Sequence, residues 1–325
     1  MFTMQSLSWP VSLLLAAAQT LLLLLLAPLL SGISRKIRAR MHSRLGPLGA
    51  AGVLQDYRDL AKLMTRQEVA PAQSGIIFRI MPFVLIASAA AIAMTLPLIV
   101  TGSQMASAAD LITLLYLFAL YRFFFALSGL DSGSPFAGMG ASREMLLGVL
   151  VEPVLMLALL VAALIAGSTN LGVISEIFRQ NWGGSMPTAA ALAMVACAFA
   201  VFIEMGKIPF DYPEAEQELQ EGPLTEYSGP GLAMVCLGVK FKQAVVASVF
   251  ISVFLPFGNV TPENLSVVSA LTATVIFVLK LLVIFVLASL YENSLARGRF
   301  LLTPRVTWSG FGVAALAFVF YFSKL

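Results

Sequence analysis

The stretch VSLLLAAAQTLLLLLLAPLL, residues 11–30, runs for 20 positions without a charged side chain. A helix of roughly 20 apolar residues crosses a hydrocarbon core of about 30 Å. The stretch therefore predicts a membrane-spanning helix. A secretory signal peptide would have a basic region before its apolar run and small residues at a cleavage site after it. No basic residue precedes this stretch and no convincing site separates it from Arg35, so we expect it to be a retained first span.

The composition of the whole chain extends this prediction. Apolar residues occupy 59% of the 325 positions and charged residues only 11%, whereas about a quarter of the residues of a soluble domain are charged. Windows of spanning length and polarity lie at about 11–30, 77–100, 110–130, 145–166, 188–208, 240–257, 265–290 and 306–323. We predict an all-α integral membrane protein, a single membrane domain of about eight transmembrane helices. Lys240 and Lys242 crowd the start of the sixth window.

The basic residues predict the orientation, because cytoplasmic connections of membrane proteins are enriched in lysine and arginine. The first connection contains Arg35, Lys36, Arg38, Arg40, Arg44, Arg58, Lys62, Arg66 and Arg79, and the connections after the third and seventh windows add Arg143, Arg297, Arg299 and Arg305. The opposite connections contain only Arg179. We therefore expect the basic connections to be cytoplasmic and both termini to lie on the other side.

The basic cytoplasmic segment, residues 31–79, contains a second kind of helix. In GVLQDYRDLAKLMTRQ, residues 52–67, one predicted face carries Val53, Leu54, Tyr57, Leu60, Ala61 and Met64, and the other carries Gln55, Asp56, Arg58, Asp59, Lys62 and Arg66. This periodicity is typical of an amphipathic helix. Such a helix lies on the membrane surface, held by lipid contacts, or rests on a partner subunit. The sequence leaves both alternatives open.

An acidic segment, residues 209–230, follows the fifth window. Residues 202–229 hold seven of the 17 carboxylates of the chain: Glu204, Asp211, Glu214, Glu216, Glu218, Glu221 and Glu226. Pro213 is compatible with the first turn of a short helix, which would place Glu214, Glu218 and Glu221 on one face until Gly222 and Pro223 end it. The segment is either a solvated acidic loop or a docking and proton-handling element. The interleaved Phe210, Tyr212 and Tyr227 favour the second interpretation.

Ionisable residues near or within the windows are few, and such residues are functional candidates because burial in a membrane is costly. They include Asp110, Arg122, Asp131, Arg143, Glu144, Glu152, Glu204, Lys207 and Lys280. Glu152 and Lys280 lie well inside their windows, whereas Asp110, Asp131 and Arg143 are near enough to the ends to reach water.

The acids among these residues suggest a proton path. Glu144 and Glu152 are eight residues apart, roughly 12 Å along a helix and within about 80° around it, so they can line one wall of a hydrated path. Glu204 precedes Lys207 by three residues and can pair with it on one helical face. Arg122 can instead neutralise one of the acids permanently, which would make the charges a static structural pair.

Metal chemistry within the chain is not expected. The only cysteines are Cys197 and Cys236 and the only histidine is His42, whereas zinc sites, iron–sulfur clusters and bis-histidine haem sites need several such ligands. We therefore expect no metal site, no cofactor and no catalytic residue in this chain. Any redox centre would belong to another subunit.

Four separated blocks carry a resemblance to a known family. They are SRKIRARMHSRLGP at 34–47, GASREMLLG at 140–148, EMGKIPFDYPEAEQELQEGPLTEYSG at 204–229 and ENSLARGR at 292–299. Together they resemble subunit 1 of respiratory complex I, the eight-helix membrane subunit that carries the redox arm. Lys207 stands where the respiratory pattern has arginine, and SGLDSGSPFAGMGASRE together with QDYRDLAKLMTRQEVAP is more similar to the branch found in membrane-bound [NiFe] hydrogenases, including formate hydrogenlyase.

The resemblance implies a non-catalytic anchor and coupling subunit in a prokaryotic inner membrane. Its partners would be the soluble [NiFe] hydrogenase large and small subunits, an iron–sulfur protein and an antiporter-like membrane subunit, with [NiFe] and iron–sulfur cofactors in the soluble partners and no nucleic acid. The acidic segment, with Arg44 and Arg143, would dock the soluble arm. A proton path would use Arg122, Glu144, Glu152, Glu204, Lys207 and Lys280.

Two alternatives remain at this point. In a respiratory complex I subunit, a quinone chamber would lie beneath the same loops, although the hydrogenase branch has no established need for quinone. An independent secondary transporter would show internal repeats and discontinuous helices, and the sequence has no visible internal repeat.

Overall fold

The computed structural model describes residues 9–46, 52–102, 105, 108–213, 216–296 and 303–324. Their regular structure is helical. The helices are α1 (Trp9–Met41), α2 (Gln55–Met64), α3 (Ile76–Thr95), α4 (Leu111–Asp131), α5 (Pro135–Ala166), α6 (Leu171–Gln180), α7 (Pro187–Glu204), α8 (Glu216–Leu219), α9 (Gly229–Phe254), α10 (Val267–Ser294) and α11 (Thr303–Ser323). Short 3-10 helices cover Gly222–Leu224 and Pro262–Asn264.

Eight helices of the described residues are long and apolar enough to cross a membrane: α1, α3, α4, α5, α7, α9, α10 and α11. A helix satisfies all of its backbone hydrogen bonds internally, which is why apolar runs of this length fold as helices in lipid. The predicted all-α membrane architecture is confirmed. The short amphipathic helix predicted after the first span is also present, as α2.

The ends of two spanning helices differ from the predicted windows. Helix α9 begins at Gly229, eleven residues before the window that starts at position 240, and a proline occupies its first turn. The predicted window starts at Lys240, which with Lys242 crowds its beginning, but both lysines have carboxylate partners in the fold. Helix α5 likewise begins at Pro135 rather than near position 145.

Helix α9 is the centre of the bundle, with α1, α3, α6, α7 and α10 packed around it. In its most apolar window 56% of the residues are buried, compared with 22% for α10 and for α11. The buried face of α7 consists largely of alanines, including Ala189, Ala193 and Ala200. Small side chains let neighbouring helices approach closely where lipid leaves no hydrophobic force between them.

The basic and acidic segments lie at one end of the bundle. The Val69 backbone N–H donates to Ser228 Oγ over 2.7 Å, and Tyr227 OH donates to the carbonyl oxygen of Phe78 over 2.7 Å. We call the end that carries the described residues of 35–46, 52–79, 205–213 and 216–228 the charged end. The connections that follow α3, α5 and α9 lie at the opposite end, where Val100 bridges Val260.

Candidate functional site

Five charged side chains from four spanning helices meet inside the bundle. We call them the Arg122 cluster: Arg122 on α4, Glu144 and Glu152 on α5, Glu204 on α7 and Lys242 on α9. Arg122 lies nine residues, or roughly 14 Å, before the end of α4 at the charged end. The cluster is therefore within the membrane-spanning part of the fold.

Arg122 contacts three carboxylates at once. Its Nε donates to Glu144 Oε1 over 3.3 Å, while Nη1 donates to Glu152 Oε1 and Nη2 donates to Glu204 Oε1. The planar guanidinium presents its donors in a fixed fork, which suits it to bind several carboxylates. Glu144 and Glu152 therefore share one cation; the sequence placed them as separate positions along a path.

Lys242 is the second cation of the cluster. Its Nζ lies 3.0 Å from Glu204 Oε2 and 3.9 Å from Glu144 Oε1, and it also lies 5.1 Å from the centre of the Tyr121 ring. An ammonium over an aromatic face is attracted by the ring electrons, more strongly where water is excluded. Lys242 was not among the predicted site residues.

The three acids of the cluster differ in how deeply their side chains are buried. The side chains of Glu144 and Glu204 are 9% and 4% exposed, while that of Glu152 is 37% exposed. Three carboxylates face two cations, so the fully ionised cluster carries one net negative charge. Uptake of one proton makes it neutral, and buried charges that are paired and neutral overall are far less costly than an excess charge.

A cavity of about 50 Å³ leads from the cluster toward the charged end. Arg122, Glu144, Glu204 and Lys242 line it, and Asp211 of the acidic segment lies on its wall. This volume is enough for ordered water, but small-molecule pockets measure about 300–1,000 Å³. The cavity is thus of a size for water between the loop and the buried acids, and it is smaller than a typical small-molecule pocket.

Lys207 does not pair with Glu204 as the sequence predicted. Its Nζ lies 3.2 Å from Glu292 Oε2 near the end of α10, and Glu292 also pairs with Arg38 of α1. Helix α7 ends at Glu204 and Gly206 then adopts a positive φ of 62°, so the helical face does not continue to position 207. Burial lowers the pKa of Lys207 below its usual value, although the paired Glu292 acts in the opposite direction.

The structure does not bring Lys280 to the Arg122 cluster either. Its Nζ donates over 2.7 Å to the carbonyl oxygen of Leu255 and also binds that of Phe257. These carbonyls follow the end of α9, thirteen or more residues from Lys242 and roughly 20 Å away along the helix axis. Lys280 therefore caps the carboxyl end of α9, on the side of the bundle away from the cluster.

The acidic segment folds against the membrane helices. Pro213 and Pro223 lie directly on α5 at Gly140, where an added Cβ would be 2.8 Å from the Pro213 carbonyl oxygen and 2.6 Å from Pro223 Cδ. Tyr227 stacks on Phe78 with ring centres 4.0 Å apart. Its buried ring ties the segment to α3, so Tyr227 is packed within the fold.

The acids of this segment differ in their exposure to solvent, and the side chains of two of them are not described. Glu218 is exposed and pairs with Arg143 over 2.6 Å, Glu221 is exposed and Glu226 is half-buried. Glu214 lies outside the described residues, and only the backbone of Glu216 is described. Arg44, the other predicted docking residue, is exposed at the charged end.

The predicted helix of the acidic segment is shorter than expected. Helix α8 ends at Leu219, and Gln220 and Glu221 have positive φ angles of 49° and 73°. The prediction that the helix continues to Gly222 and aligns Glu218 with Glu221 is wrong. The chain reverses before Glu221, because the left-handed conformation of these two residues cannot extend a right-handed helix.

One residue of the predicted polar face of helix α2 is not exposed to solvent. Asp56 is fully buried, with Arg35 Nη2 at 2.6 Å and Lys240 Nζ at 2.8 Å from its two oxygens. Helical periodicity in the sequence placed Asp56 on the polar face, and an unpaired buried carboxylate would be very costly. The two cations from α1 and α9 supply the missing compensation, so this helix is attached to the bundle itself.

Three residues of these networks were missed by the sequence reasoning. Lys242 was treated only as an obstacle to a span, Glu292 was noted only as part of a motif, and Lys240 had no assigned partner. One signal was available for Lys242: a lysine within an apolar run of spanning length needs an internal partner.

Comparison with known proteins shows to which family the chain is related. The chain matches the NADH dehydrogenase family over residues 13–323. It is 61% identical over 310 residues to hydrogenase-4 component C of Escherichia coli (strain K12), which covers 95% of this chain and 96% of that protein. It is 54% identical over 301 residues to formate hydrogenlyase subunit 4 of the same organism, covering 93% and 96%.

A solved structure shares the fold. A chain of the membrane-bound sulfane sulfur reductase, an archaeal respiratory membrane complex, superposes with a TM-score of 0.78 over 94% of this chain and 99% of that chain. The two sequences are 23% identical, so the likeness concerns the backbone architecture alone.

Proposed function

This chain belongs to the NADH dehydrogenase family, and from that premise we propose that it is the membrane-anchor and coupling subunit of an energy-converting hydrogenase complex of the formate hydrogenlyase type. The two relatives with more than half of their residues identical are named as components of a hydrogenase and of a formate hydrogenlyase. The chain itself is a multi-pass membrane protein. Its proposed location is a prokaryotic inner membrane, with the charged end in the cytoplasm.

One observation carries the coupling part of the proposal: a buried arginine contacts three carboxylates directly below the acidic segment. The water-sized cavity joins this cluster to Asp211. A proton that enters from the charged end therefore meets Glu204 and Glu144 before Glu152. Because Glu152 is partly exposed on α5, it is the member from which a proton can pass sideways to a neighbouring membrane subunit.

The charged end supplies the docking surface of the proposal. The acidic segment is held on α5 by the Gly140 contact and by the pair of Arg143 with Glu218. A charge change in a docked partner acts on this segment through space, and the segment touches α5 one helical turn before Glu144. The proposed partners are the soluble [NiFe] and iron–sulfur subunits, which carry the cofactors, and an antiporter-like membrane subunit that receives protons.

The quinone-dependent alternative is a respiratory NADH:quinone oxidoreductase subunit. The cavity at the Arg122 cluster argues against quinone binding there, since it is several times smaller than a typical ligand pocket. Inhibition of turnover by quinone-site ligands, or a quinone that co-purifies with the complex, would favour this alternative.

The test is to purify the complex through a tag on this chain and to reconstitute it in proteoliposomes. We expect a [NiFe] subunit to co-purify, and hydrogen production in the vesicles to be accompanied by proton movement that a protonophore abolishes. Loss of the chain should release the soluble subunits from the membrane. Ion transport by the chain reconstituted alone, with no partner attached, would contradict the subunit assignment.

A further inference from the structure

Helix α5 presents glycine and glutamate alternately at steps of four residues: Gly140, Glu144, Gly148 and Glu152. Residues four apart are neighbours on the surface of a helix. Gly140 contacts the acidic segment and the two glutamates contact Arg122. Gly148 lies between those two glutamates and is buried.

The three atoms nearest to a side chain added at Gly148 all belong to Arg122. A Cβ atom added there would be 2.5 Å from Cδ, 2.6 Å from Nη1 and 2.7 Å from Nε of Arg122. Carbon atoms in favourable contact are about 3.5–4.0 Å apart, so even alanine requires the arginine to move by about 1 Å. The guanidinium has little freedom to do so, because it is bound to carboxylates on both α5 and α7.

A nearby glycine shows a different role. Gly129 on α4 would place a Cβ 2.8 Å from the Ala137 carbonyl oxygen and 3.1 Å from Ala141 Cβ, so it allows the backbones of α4 and α5 to approach each other. At Gly148 the three nearest atoms all belong to the end of the Arg122 side chain. The missing side chain at position 148 therefore makes room for a charge and not for a neighbouring backbone.

We propose that Gly148 is a positioning residue of the Arg122 cluster: it forms the slot on α5 in which the guanidinium lies between Glu144 and Glu152 while it still reaches Glu204. Only the activity measurement that tests this inference depends on the proposed coupling function. Without the slot, one cation does not contact all three acids, and at least one carboxylate loses its contact with Arg122.

The experiment compares Gly148→Ala with Gly138→Ala in the whole complex, reconstituted in proteoliposomes. Gly138 is a matched control on the same helix, since its added Cβ meets only Leu130 Cδ2, at 4.0 Å. A misplacement of about 1 Å costs on the order of a hundredfold in well-ordered sites. We expect Gly148→Ala to lower the ratio of protons moved to hydrogen produced at least tenfold. Gly138→Ala should leave this ratio unchanged.

A spectroscopic readout separates positioning from general damage. Infrared difference spectra between the oxidised and reduced complex report carboxyl groups directly, and we expect Gly148→Ala to alter the carboxyl bands that Glu204→Gln also alters. A Gly148→Ala complex with unchanged bands and unchanged coupling would overturn the inference.

A second variant covers the case in which Gly148→Ala assembles poorly. Arg122→Ala removes the Cδ, Nε and Nη1 atoms that an added Cβ at position 148 would meet, so Gly148→Ala should reduce assembly much less in an Arg122→Ala background than in the wild type. An equal loss in both backgrounds would show that Gly148 serves helix packing and would overturn the inference. If Glu204→Gln and Glu144→Gln both leave coupling intact, the coupling part of the proposed function fails; if only Gly148→Ala is silent, the positioning role alone fails.

Discussion

Lys242 Nζ on α9 lies 3.0 Å from Glu204 Oε2 on α7. The same ammonium approaches Glu144 on α5, so one buried lysine links the acids of two helices. It also lies at the centre of the bundle, because α9 is the helix around which the others pack. The pairing makes Lys242 as central to the cluster as Arg122.

The first prediction concerns this lysine. Lys242→Met leaves two buried carboxylates with one cation, and breaking a buried pair by removal of one partner costs about 3–5 kcal/mol. We expect a lower midpoint of thermal unfolding in detergent and a loss of proton movement in vesicles, with partial recovery in Lys242→Arg.

Lys280→Met is the matched control for this variant. Lys280 is also a lysine on a membrane-spanning helix, but its partners are backbone carbonyls at the opposite end. Its replacement should leave the ratio of protons moved to hydrogen produced unchanged. A coupling defect in Lys280→Met comparable to that in Lys242→Met would mean that the cluster is not the specific site.

A second prediction concerns the acids. Glu204→Gln and Glu144→Gln keep the size of the side chain and remove its charge, so we expect each variant to assemble with its partners and to lose coupled turnover. General acid–base groups typically contribute about 10²–10⁴-fold, and a loss within this range is expected for proton movement. Hydrogen production and internal vesicle pH should be measured together.

Glu176→Gln serves as the control for the acids. Glu176 pairs with Arg179 over 2.7 Å on α6, at the end of the bundle away from the cluster. This variant should retain full coupling. If both cluster variants match it in hydrogen production and in proton movement, the three carboxylates form a static structural network.

The spans could be predicted from the sequence because the bilayer imposes their length. The runs around residues 11–30 and 265–290 contain so few charges that no other fold satisfies their backbone, and both are helical. Helix starts were harder to predict. The start of α9 depends on carboxylates that lie far away in the chain and neutralise Lys240 and Lys242.

The sequence predicted which residues belong to the candidate site, but it did not predict which of them pair. Arg122, Glu144, Glu152 and Glu204 stand out in the sequence because charges are rare in the spans. Their partners depend on which helix faces pack together. Lys207 therefore pairs with Glu292, 85 positions away, although Glu204 is only three residues distant in the sequence.

A third prediction tests the attachment of α2. Asp56→Asn removes a fully buried charge with two cationic partners, and we expect a stability loss of about 3 kcal/mol or more. Asp59→Asn is the control, since Asp59 is 47% exposed and lies 3.5 Å from Arg35, a type of pair that contributes about 0–1 kcal/mol. Limited proteolysis of the segment around α2 should be faster in Asp56→Asn only. Equal cleavage rates in the two variants would contradict the role of Asp56 as an anchor.

A fourth prediction addresses docking at the charged end. Glu218→Arg reverses an exposed acid that pairs with Arg143, and we expect the soluble subunits to dissociate from the membrane at lower salt, because screening weakens exposed charge interactions. Glu263→Arg, in the 3-10 helix at the opposite end, should leave attachment unchanged. Co-purification across a salt series gives the measurement.

A charge swap decides whether Glu218 acts on a partner or only on Arg143. Glu218→Arg combined with Arg143→Glu restores an ion pair within the chain but presents reversed charges to anything that docks there. If Glu218 serves the internal pair alone, the swapped variant holds the soluble subunits as well as the wild type does. If the two side chains contact a partner, attachment stays weak although the local fold is repaired. We expect the second result, because Glu218 remains more than half exposed even while it is paired, and this leaves its carboxylate accessible to a docked cationic surface.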